Sequence, residues 1–393
     1  MRILGTALLL ALAVPAAGSC LYLLVLTLLS ARGAVPPRSS RGMRFDVVIP
    51  AHNEAAGIAA AVTSVRGVDW PAECFRAVVV ADNCTDDTGE LAAAAGAHVL
   101  VRQDAQLRGK GHALAHAFRF SLEQGWADAV VVIDADSRVS PNLLEAIAAR
   151  MERGEQAVQL HYGVSNIDAS WRTRLMAIAM AAFHRVRSRA RERLGLSCGI
   201  RGNGWALSRS LMQRVPYTSF SLAEDLEFGV ELGLRGIRVA YADEASCDGE
   251  MVSSEKSARS QRRRWEQGRA AIVRSRTLQL LKRAVVAPSL VCLDLALDLL
   301  VPPLSYVALN AVALAVVAGL LATWPADDPW FLLGLACCGT LVLYVLRGWQ
   351  LSGTGARGLL DLLRAPFFLA WKVLVMVRGN RATQWVRTDR EGS

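Results

Sequence analysis

The apolar residues of this chain are concentrated in long runs at its two ends, with an alternating middle part between them. The first run, Leu4–Leu29, is about as long as the ~20 residues that cross a bilayer, and it exceeds the apolar part of a secretory signal. Basic residues follow it at Arg32, Arg38, Arg41 and Arg44. Because basic flanks mark the cytoplasmic side of a span, the pattern predicts an uncleaved anchor and a cytosolic domain after it.

The middle of the chain alternates short β-branched runs with helix-like stretches, which is typical of parallel βαβ units. Strands are predicted at Phe45–Ile49, Ala77–Ala81, Ala97–Val101 and Ala129–Ile133. Helices are predicted at Ala55–Val65, Thr88–Ala95 and Gly111–Glu123. The predicted organisation is an anchor at 1–31, a basic linker at 32–44, an α/β domain with a mostly parallel sheet at 45–276, and membrane or interfacial helices with a basic cytosolic tail at 277–393.

Two apolar runs near the C-terminus, Leu304–Ala322 and Phe331–Leu346, are predicted to cross the membrane. The loop between them has no Lys or Arg, as expected for the outer side. The preceding run, Ala287–Leu300, contains two Asp residues that would be costly inside a bilayer, so it is predicted to lie at the interface. The run Leu359–Val377 is compatible with a span or an interfacial helix, which leaves two to four C-terminal spans open.

Composition supports a membrane protein that does not bind nucleic acid. Hydrophobic residues make up 53% of the chain and the mean hydropathy is +0.28. The net charge of +9 comes from basic residues beside the apolar runs, which suits anionic lipid or a nucleotide phosphate, and no nucleic-acid-binding motif is visible. The eight Cys residues lack Cys-x-x-Cys spacing, which indicates reduced thiols in a cytosol-facing protein.

Carboxylates end one of the predicted strands. Asp134 and Asp136 follow it directly, at the sheet edge where α/β proteins bind ligands. Such oxygens suit Mg²⁺ or Mn²⁺ shared with substrate phosphates, although one capping and one turn Asp would give the same pattern. Two further predicted strands lead into Pro50 to Glu54 and into Asp82. Three polar strand ends at one edge favour a shared site, with plain turn formation as the alternative.

Three later segments carry candidate chemistry. Lys110, between two glycines at a predicted helix start, suits a diphosphate contact or is a solvated loop residue. Asp225, in an acidic pair before another helix, could take a proton from an acceptor hydroxyl or merely supply helix-terminal charge. The segment with Gln261, Arg264 and Trp265 suits a departing diphosphate and a sugar ring, or an interfacial anchor.

Two other patterns are predicted to lie outside the site. His112 and His116 have a zinc-like spacing, but no third ligand is evident, which favours a pair on a helix surface. The alternating arginines are predicted to spread around a helix and to face lipid headgroups or water. These residues are Arg185, Arg187, Arg189, Arg191 and Arg193.

Taken together, the motifs resemble those of the membrane-bound family-2 glycosyltransferases, which include the cellulose, chitin and hyaluronan synthases and the ceramide glucosyltransferases. In chain order they are Pro50-Ala-His-Asn-Glu54, Ala81-Asp-Asn83, Gly109-Lys-Gly111, Asp134-Ala-Asp136, Ala223-Glu-Asp225 and Gln261-x-x-Arg-Trp265. The resemblance covers roughly residues 45–269. Ala223 stands where the usual motif has Thr, which leaves Asp225 in place.

The resemblance implies a GT-A fold and an inverting, metal-dependent transfer from a nucleotide-diphospho-sugar, for which a UDP-sugar is expected. It implies that Asp225 is the catalytic base and that Asp136 binds Mg²⁺ or Mn²⁺. The implied donor-binding residues are Pro50, Glu54, Asp82, Lys110 and Asp134. The implied contacts to donor diphosphate and acceptor are Gln261, Arg264 and Trp265.

The acceptor remains open between a lipid and a growing saccharide, in glycolipid or polysaccharide synthesis at the cytoplasmic membrane. A polymerising synthase needs a product channel, which three spans could form only narrowly, so partner subunits for export belong to that alternative. A lipid-acceptor transferase needs only a site at the membrane surface. A non-catalytic membrane scaffold with a degenerate transferase domain is a further alternative, and the intact Asp82, Asp134, Asp136 and Asp225 weigh against it.

Overall fold

The computed structural model describes the backbone of residues 2–251, 255–322 and 324–364, and the side chains of residues 5–251, 265–322 and 324–364. Its centre is a mixed eight-stranded sheet with the order β3-β2-β1-β4-β7-β6-β8-β5. The strands are β1 (Phe45–Ala51), β2 (Phe75–Asp82), β3 (His98–Arg102), β4 (Ala129–Val132), β5 (Ser137–Val139), β6 (Ala157–Val164), β7 (Trp205–Ser208) and β8 (Val239–Gly249).

Helices cover both faces of this sheet and extend from it towards the membrane segments. In the globular part they are α2 (Ile58–Arg66), α3 (Thr88–Ala94), α4 (Lys110–Gln124), α5 (Leu143–Met151), α6 (Trp171–Met180), α7 (Arg187–Arg193), α8 (Arg209–Arg214) and α9 (Glu224–Leu234). The others are α1 (Arg2–Leu29), α10 (Glu255–Val286), α11 (Leu290–Leu300), α12 (Leu304–Leu321), α13 (Pro329–Ser352) and α14 (Gly355–Asp361). A π-helical turn, Ala181–Val186, joins α6 to α7.

The first half of the sheet is parallel, as the sequence predicts. β1 pairs in parallel with β2 and with β4, and β2 pairs in parallel with β3. Val47 and Ile49 belong to the core beneath α2 and α5, whereas Val48 belongs to the opposite core beneath α4. Burial on both faces explains why these strands read as continuous apolar runs. The predicted strands and helices of this half are confirmed, with small shifts at their ends.

The second half of the sheet is mixed. β7 runs antiparallel to β4 and to β6, and β6 pairs in parallel with β8. This half continues the sheet beyond β4, so the loops at the ends of β1, β2 and β4 face the segments that connect β6, β7 and α9. These facing segments provide Asn203, which bonds to the Asp134 amide, and Gly202 and Glu224, which face Lys110.

Within the described residues, three helices are long and apolar enough to cross a membrane: Gly5–Leu29, Leu304–Leu321 and Pro329–Ser352. The structure thus has an apolar helix at each of the three places where the sequence predicts a membrane span. The three pack together: the Asn310 amide donates to the Leu12 carbonyl at 3.0 Å, and the Cys20 thiol lies 3.7 Å from the Cys337 carbonyl. All eight Cys residues are free thiols, as predicted.

The helix α11 has eleven residues, about half the length that crosses a bilayer. Its two Asp residues are buried against the globular domain, and its opposite side exposes Leu290, Leu293 and Leu297. The predicted segment Leu359–Val377 is described only to residue 364. Its described part consists of the end of α14 and the 3₁₀ turn Leu362–Arg364, and the rest lies outside the described residues.

Four of the five alternating arginines form ion pairs instead of facing lipid or water. Arg187 and Arg191 are 3% and 0% exposed, and both pair with Asp298 of α11 at 2.8 Å. Arg185 and Arg189 instead share Asp243. Residues four apart lie on one helix face, so each pair finds a single carboxylate. For these four arginines the prediction of lipid or water contact was wrong because both acidic partners lie far away along the chain. Arg193 is exposed, as predicted.

Candidate functional site

The loops after β1 and β2 are tied to each other. Asn53 and Asn83 both adopt left-handed backbone conformations, with φ of 55° and 52°. The Asn53 side-chain oxygen accepts a hydrogen bond from the Thr85 amide at 2.7 Å, and the Glu54 amide donates to the Thr88 hydroxyl at 2.8 Å. The loop that begins at Pro50 therefore has a fixed position beside the end of β2.

Asp82 closes β2 with a buried carboxylate that is 5% exposed. One of its oxygens accepts from Arg102 at 2.5 Å and from the Asn83 amide group at 3.1 Å. The Asp82 carbonyl is 2.7 Å from His52 Nδ1. Since β1 lies between β2 and β4, Asp82 is roughly 10 Å from Asp134 along the sheet edge.

Lys110 joins three segments that are distant in sequence. It begins α4, and its Nζ donates to Asp134 Oδ1 at 2.6 Å and to the Gly202 carbonyl at 2.8 Å. Glu224 Oε1 lies 3.8 Å from the same nitrogen. Burial alone would lower the pKa of Lys110, but Asp134 and Glu224 outweigh it and raise this pKa above its ordinary value. The site therefore contains a permanent ammonium group beside two carboxylates.

The segment that carries Asp134 and Asp136 is held in place by the buried side-chain amide of Asn203. Asn203, which is fully buried, accepts from the Asp134 amide at 3.0 Å and donates to the Ser137 hydroxyl at 2.6 Å. That hydroxyl in turn donates to Asp136 at 3.2 Å. The available signal was an Asn between two glycines, Gly202-Asn-Gly204, both of which have positive φ.

The acidic pair at the start of α9, Glu224 and Asp225, lies beside Lys110 and Gly202. Asp225 Oδ2 lies only 3.3 Å from where a Cβ would stand on Gly202, whose φ is +86°. Burial raises the pKa of Asp225 above its ordinary value and that of Glu224 to about 7, and Lys110 opposes both shifts. A carboxylate with a raised pKa holds a proton better than an exposed one, which suits a general base.

Tyr162 of β6 is a residue that the sequence analysis missed. Burial raises its pKa well above the ordinary value, and the nearby charges of Asp134, Asp136 and Asp225 add to the shift. These effects keep the phenol of Tyr162 in its neutral form. No local pattern around Tyr162 marks it, because its neighbours come from other parts of the fold.

The helix α10 packs against the acidic pair. A Cβ on Gly268 would stand 2.8 Å from the Ala223 Cβ, so only glycine permits this approach. Trp265 lies about one turn earlier and is 39% exposed. Gln261 and Arg264 belong to the same helix, and their side chains lie outside the described residues. The Ala at position 223, where the resembling family has Thr, thus forms the contact with α10.

A family model described as glycosyl transferase family group 2 matches residues 129–326, which is half of the chain. The chain belongs to glycosyl transferase family group 2. The match includes the second half of the sheet, the acidic pair and α10 to α12.

One relative of this chain is a probable glucomannan 4-beta-mannosyltransferase 1 of Arabidopsis thaliana. It is 24% identical over 248 residues, and the alignment covers 60% of this chain and 44% of the relative. The probable glycosyltransferase YdaM of Bacillus subtilis is 24% identical over 239 residues, covering 58% of this chain and 56% of the relative. The chain thus spans about half the length of these curated relatives.

A solved structure, the mannosyltransferase PcManGT from Pyrobaculum calidifontis in complex with GDP-Man and Mn²⁺, aligns with 87% of this chain and 98% of its own. The TM-score is 0.56 at 17% sequence identity, so the likeness concerns the fold. The predicted fold class, a GT-A domain with apolar membrane helices, is confirmed.

Within the described side chains of this family group 2 chain, a divalent metal would find hard oxygen ligands at Asp134 and Asp136. Among the described side chains, no three His, Cys, Asp or Glu residues cluster as metal ligands. Asp134 and Asp136 nevertheless fit a cation that keeps several waters and shares phosphate oxygens with a donor. His112 stacks on Phe220, with ring centroids 4.2 Å apart.

Proposed function

We propose that the chain is an inverting glycosyltransferase that moves a sugar from a nucleotide-diphospho-sugar to a lipid or saccharide hydroxyl at the cytoplasmic membrane face. The observation that carries the proposal is the convergence of Lys110, Asp134 and the Glu224–Asp225 pair on the Gly202 backbone. These groups supply a base and a cation within a few ångströms of each other, beside the strand ends where this kind of sheet binds ligands.

In the proposed reaction, Asp225 accepts the proton of the acceptor hydroxyl as its oxygen attacks the anomeric carbon. The bond from that carbon to the diphosphate oxygen breaks on the opposite face, so the configuration inverts. Lys110, an ammonium at the site, stabilises the charge that develops on the departing diphosphate. Asp136 and Asp134 would hold a divalent cation that neutralises the same diphosphate.

The remaining predicted contacts are proposals of the same kind. Pro50 and Asp82 lie at the ends of β1 and β2, and Glu54 lies in the loop after β1, one or two strands from Asp134, at a distance that suits the nucleoside. The sequence predicts a UDP-sugar, whereas the solved mannosyltransferase contains GDP-Man, so both donors belong in an assay. We assign Gln261, Arg264 and Trp265 to donor diphosphate and acceptor because Gly268 brings their helix against Ala223.

The acceptor side is proposed to face the inner leaflet. The exposed leucines of α11 form an apolar strip, and its other face is fixed to the globular domain. An amphipathic helix in this position lies in the interface with its apolar side in the lipid. A lipid acceptor could reach the site from this surface without a channel, while a saccharide product would need partner subunits for export.

The decisive assay incubates the purified chain in vesicles with UDP- and GDP-sugars and measures release of the nucleoside diphosphate. Acceptor-dependent release is the expected result, and the product separates the two acceptors because a glycolipid extracts into solvent while a polymer has high mass. A folded protein that releases no diphosphate from any donor would instead favour the scaffold alternative.

The proposed topology predicts where single cysteines can be labelled. Asp327 lies in the turn between α12 and α13, so Asp327→Cys should react with a membrane-impermeant maleimide added outside intact cells. Arg38→Cys, an exposed linker position, should react only after the cells are opened. The wild type is the background control, since its own thiols are buried or half-buried. Labelling of Arg38→Cys in intact cells would contradict a cytosolic domain.

A further inference from the structure

Asp298 of α11 is a buried charge shared by three arginines. It is 2% exposed, and it accepts from Arg187 at 2.8 Å and from Arg201 at 3.2 Å. Arg191 lies at 2.8 Å. Burial alone would raise the pKa of Asp298, but Arg191, Arg201 and Arg187 hold it well below the ordinary value. Removing one member of such a buried ionic group leaves the others uncompensated.

Arg201 connects this carboxylate to the proposed active site. Its backbone amide donates to Gln159 at 2.8 Å, while its guanidinium reaches Asp298. The carbonyl of the next residue, Gly202, accepts a hydrogen bond from the Lys110 ammonium. Gly202 also lies so close to Asp225 that a side chain at position 202 would disturb the carboxylate. Asp298 of α11 therefore fixes Arg201, and the adjacent Gly202 contacts Lys110 and lies beside Asp225.

The same cluster continues into the membrane helices. Tyr22 of α1 donates to Asp294, the other buried carboxylate of α11, at 2.8 Å and accepts from Arg191 at 2.5 Å. Arg187 donates to Tyr344 of α13 at 2.8 Å. Asp294 lies one turn from Asp298, yet among its described contacts there is none with Arg201. The two carboxylates thus differ in their connection to the site.

We propose that Asp298 is a positioning residue for sugar transfer, which holds the Arg201–Gly202 backbone in place for Lys110 and Asp225. This inference rests on the proposed function. Asp298 touches neither the Pro50–Glu54 segment nor Asp82, so its loss should slow the chemical step with little effect on donor binding. A displacement of about 1 Å at such a site can cost roughly 100-fold in rate.

The test compares Asp298→Asn with Asp294→Asn, its matched control on the same helix. Asp298→Asn should lower kcat by about 10- to 100-fold with little change in the donor KM, whereas Asp294→Asn should keep the wild-type kcat. Arg201→Gln should reproduce the loss, and the double variant with Asp298→Asn should be no slower than either single variant. Equal kcat values in the two Asn variants, or multiplying losses in the double variant, would overturn the positioning role.

Hydrogen exchange supplies a readout that needs no activity. The Arg201 and Gly204 amides donate to Gln159 and Val132, and both should lose protection in Asp298→Asn but keep it in Asp294→Asn. Unchanged protection in Asp298→Asn would refute the proposal. If Asp298→Asn does not fold, Arg201→Gln carries the same kinetic test, and a wild-type kcat there refutes it. A wild type without transfer activity would refute the proposed function, and exchange would still test the positioning.

Discussion

Asp225→Asn is expected to abolish sugar transfer while donor binding persists. The amide has the shape of the carboxylate but cannot accept the acceptor proton, and general-base catalysis is typically worth roughly 100- to 10,000-fold in rate. Asp225 lies beside Gly202, which precedes β7, two to three strands away from the strand ends proposed for the nucleoside. Rate measurements at saturating donor, together with titration calorimetry of the nucleoside diphosphate, should show lost turnover with a retained Kd.

Glu227→Gln is the control for this prediction. Glu227 lies on the same helix α9, but its carboxylate faces Arg276 at 3.8 Å instead of Lys110. Its replacement should leave turnover near the wild-type value. If Asp225→Asn folds normally and yet no longer binds the nucleoside diphosphate, the residue contributes to donor binding and the assignment as base fails.

Asp136→Ala is expected to remove the response to divalent metal together with most activity. Stabilisation of a departing diphosphate by a cation is worth several kcal/mol, so the rate should fall on the order of 100- to 1,000-fold. Wild-type protein treated with EDTA should lose activity and regain it with Mn²⁺ or Mg²⁺, whereas the variant should not respond. Turnover across a metal titration, before and after chelation, measures both effects.

Asp128→Asn is a suitable control for Asp136→Ala because Asp128 precedes β4 at the opposite sheet edge, where it contacts Arg44. This variant should keep the wild-type response to metal. Full turnover of the wild type in excess EDTA would show that Asp134 and Asp136 act on the donor without a cation.

The parallel half of the domain could be predicted because its signals are local. β1, β2 and β4 are continuous apolar runs, since both faces of each strand are buried, and polar loops follow them at one edge. Their polar ends do meet along that edge, as the alternation of strands and helices requires. The acidic pair at Asp225 and the helix start at Lys110 were likewise visible as short motifs.

The contacts that organise the site depend on residues far apart in the chain and have no local signature. Tyr162 lies near charges from other parts of the fold and has no local pattern around it, whereas the only local signal for Asn203 is the glycine on each side. The arginine run misled the sequence analysis for the same reason. Spacing alone suggests solvated charges, whereas Asp298, more than a hundred residues later, neutralises the buried Arg187 and Arg191. The roles of Gln261 and Arg264 stay predictions.

The hydroxyls of Tyr22 and Tyr344 have a practical consequence for work with this protein. Both enter the buried arginine cluster from membrane helices, and Ala182 and Val186 of the globular part pack into the apolar core of those same helices. A fragment trimmed to residues 45–276 would expose this contact surface to water and remove hydrogen-bond partners of Arg187 and Arg191. Such a fragment should aggregate on expression, and biochemistry on this protein should begin from full-length material in detergent micelles or nanodiscs.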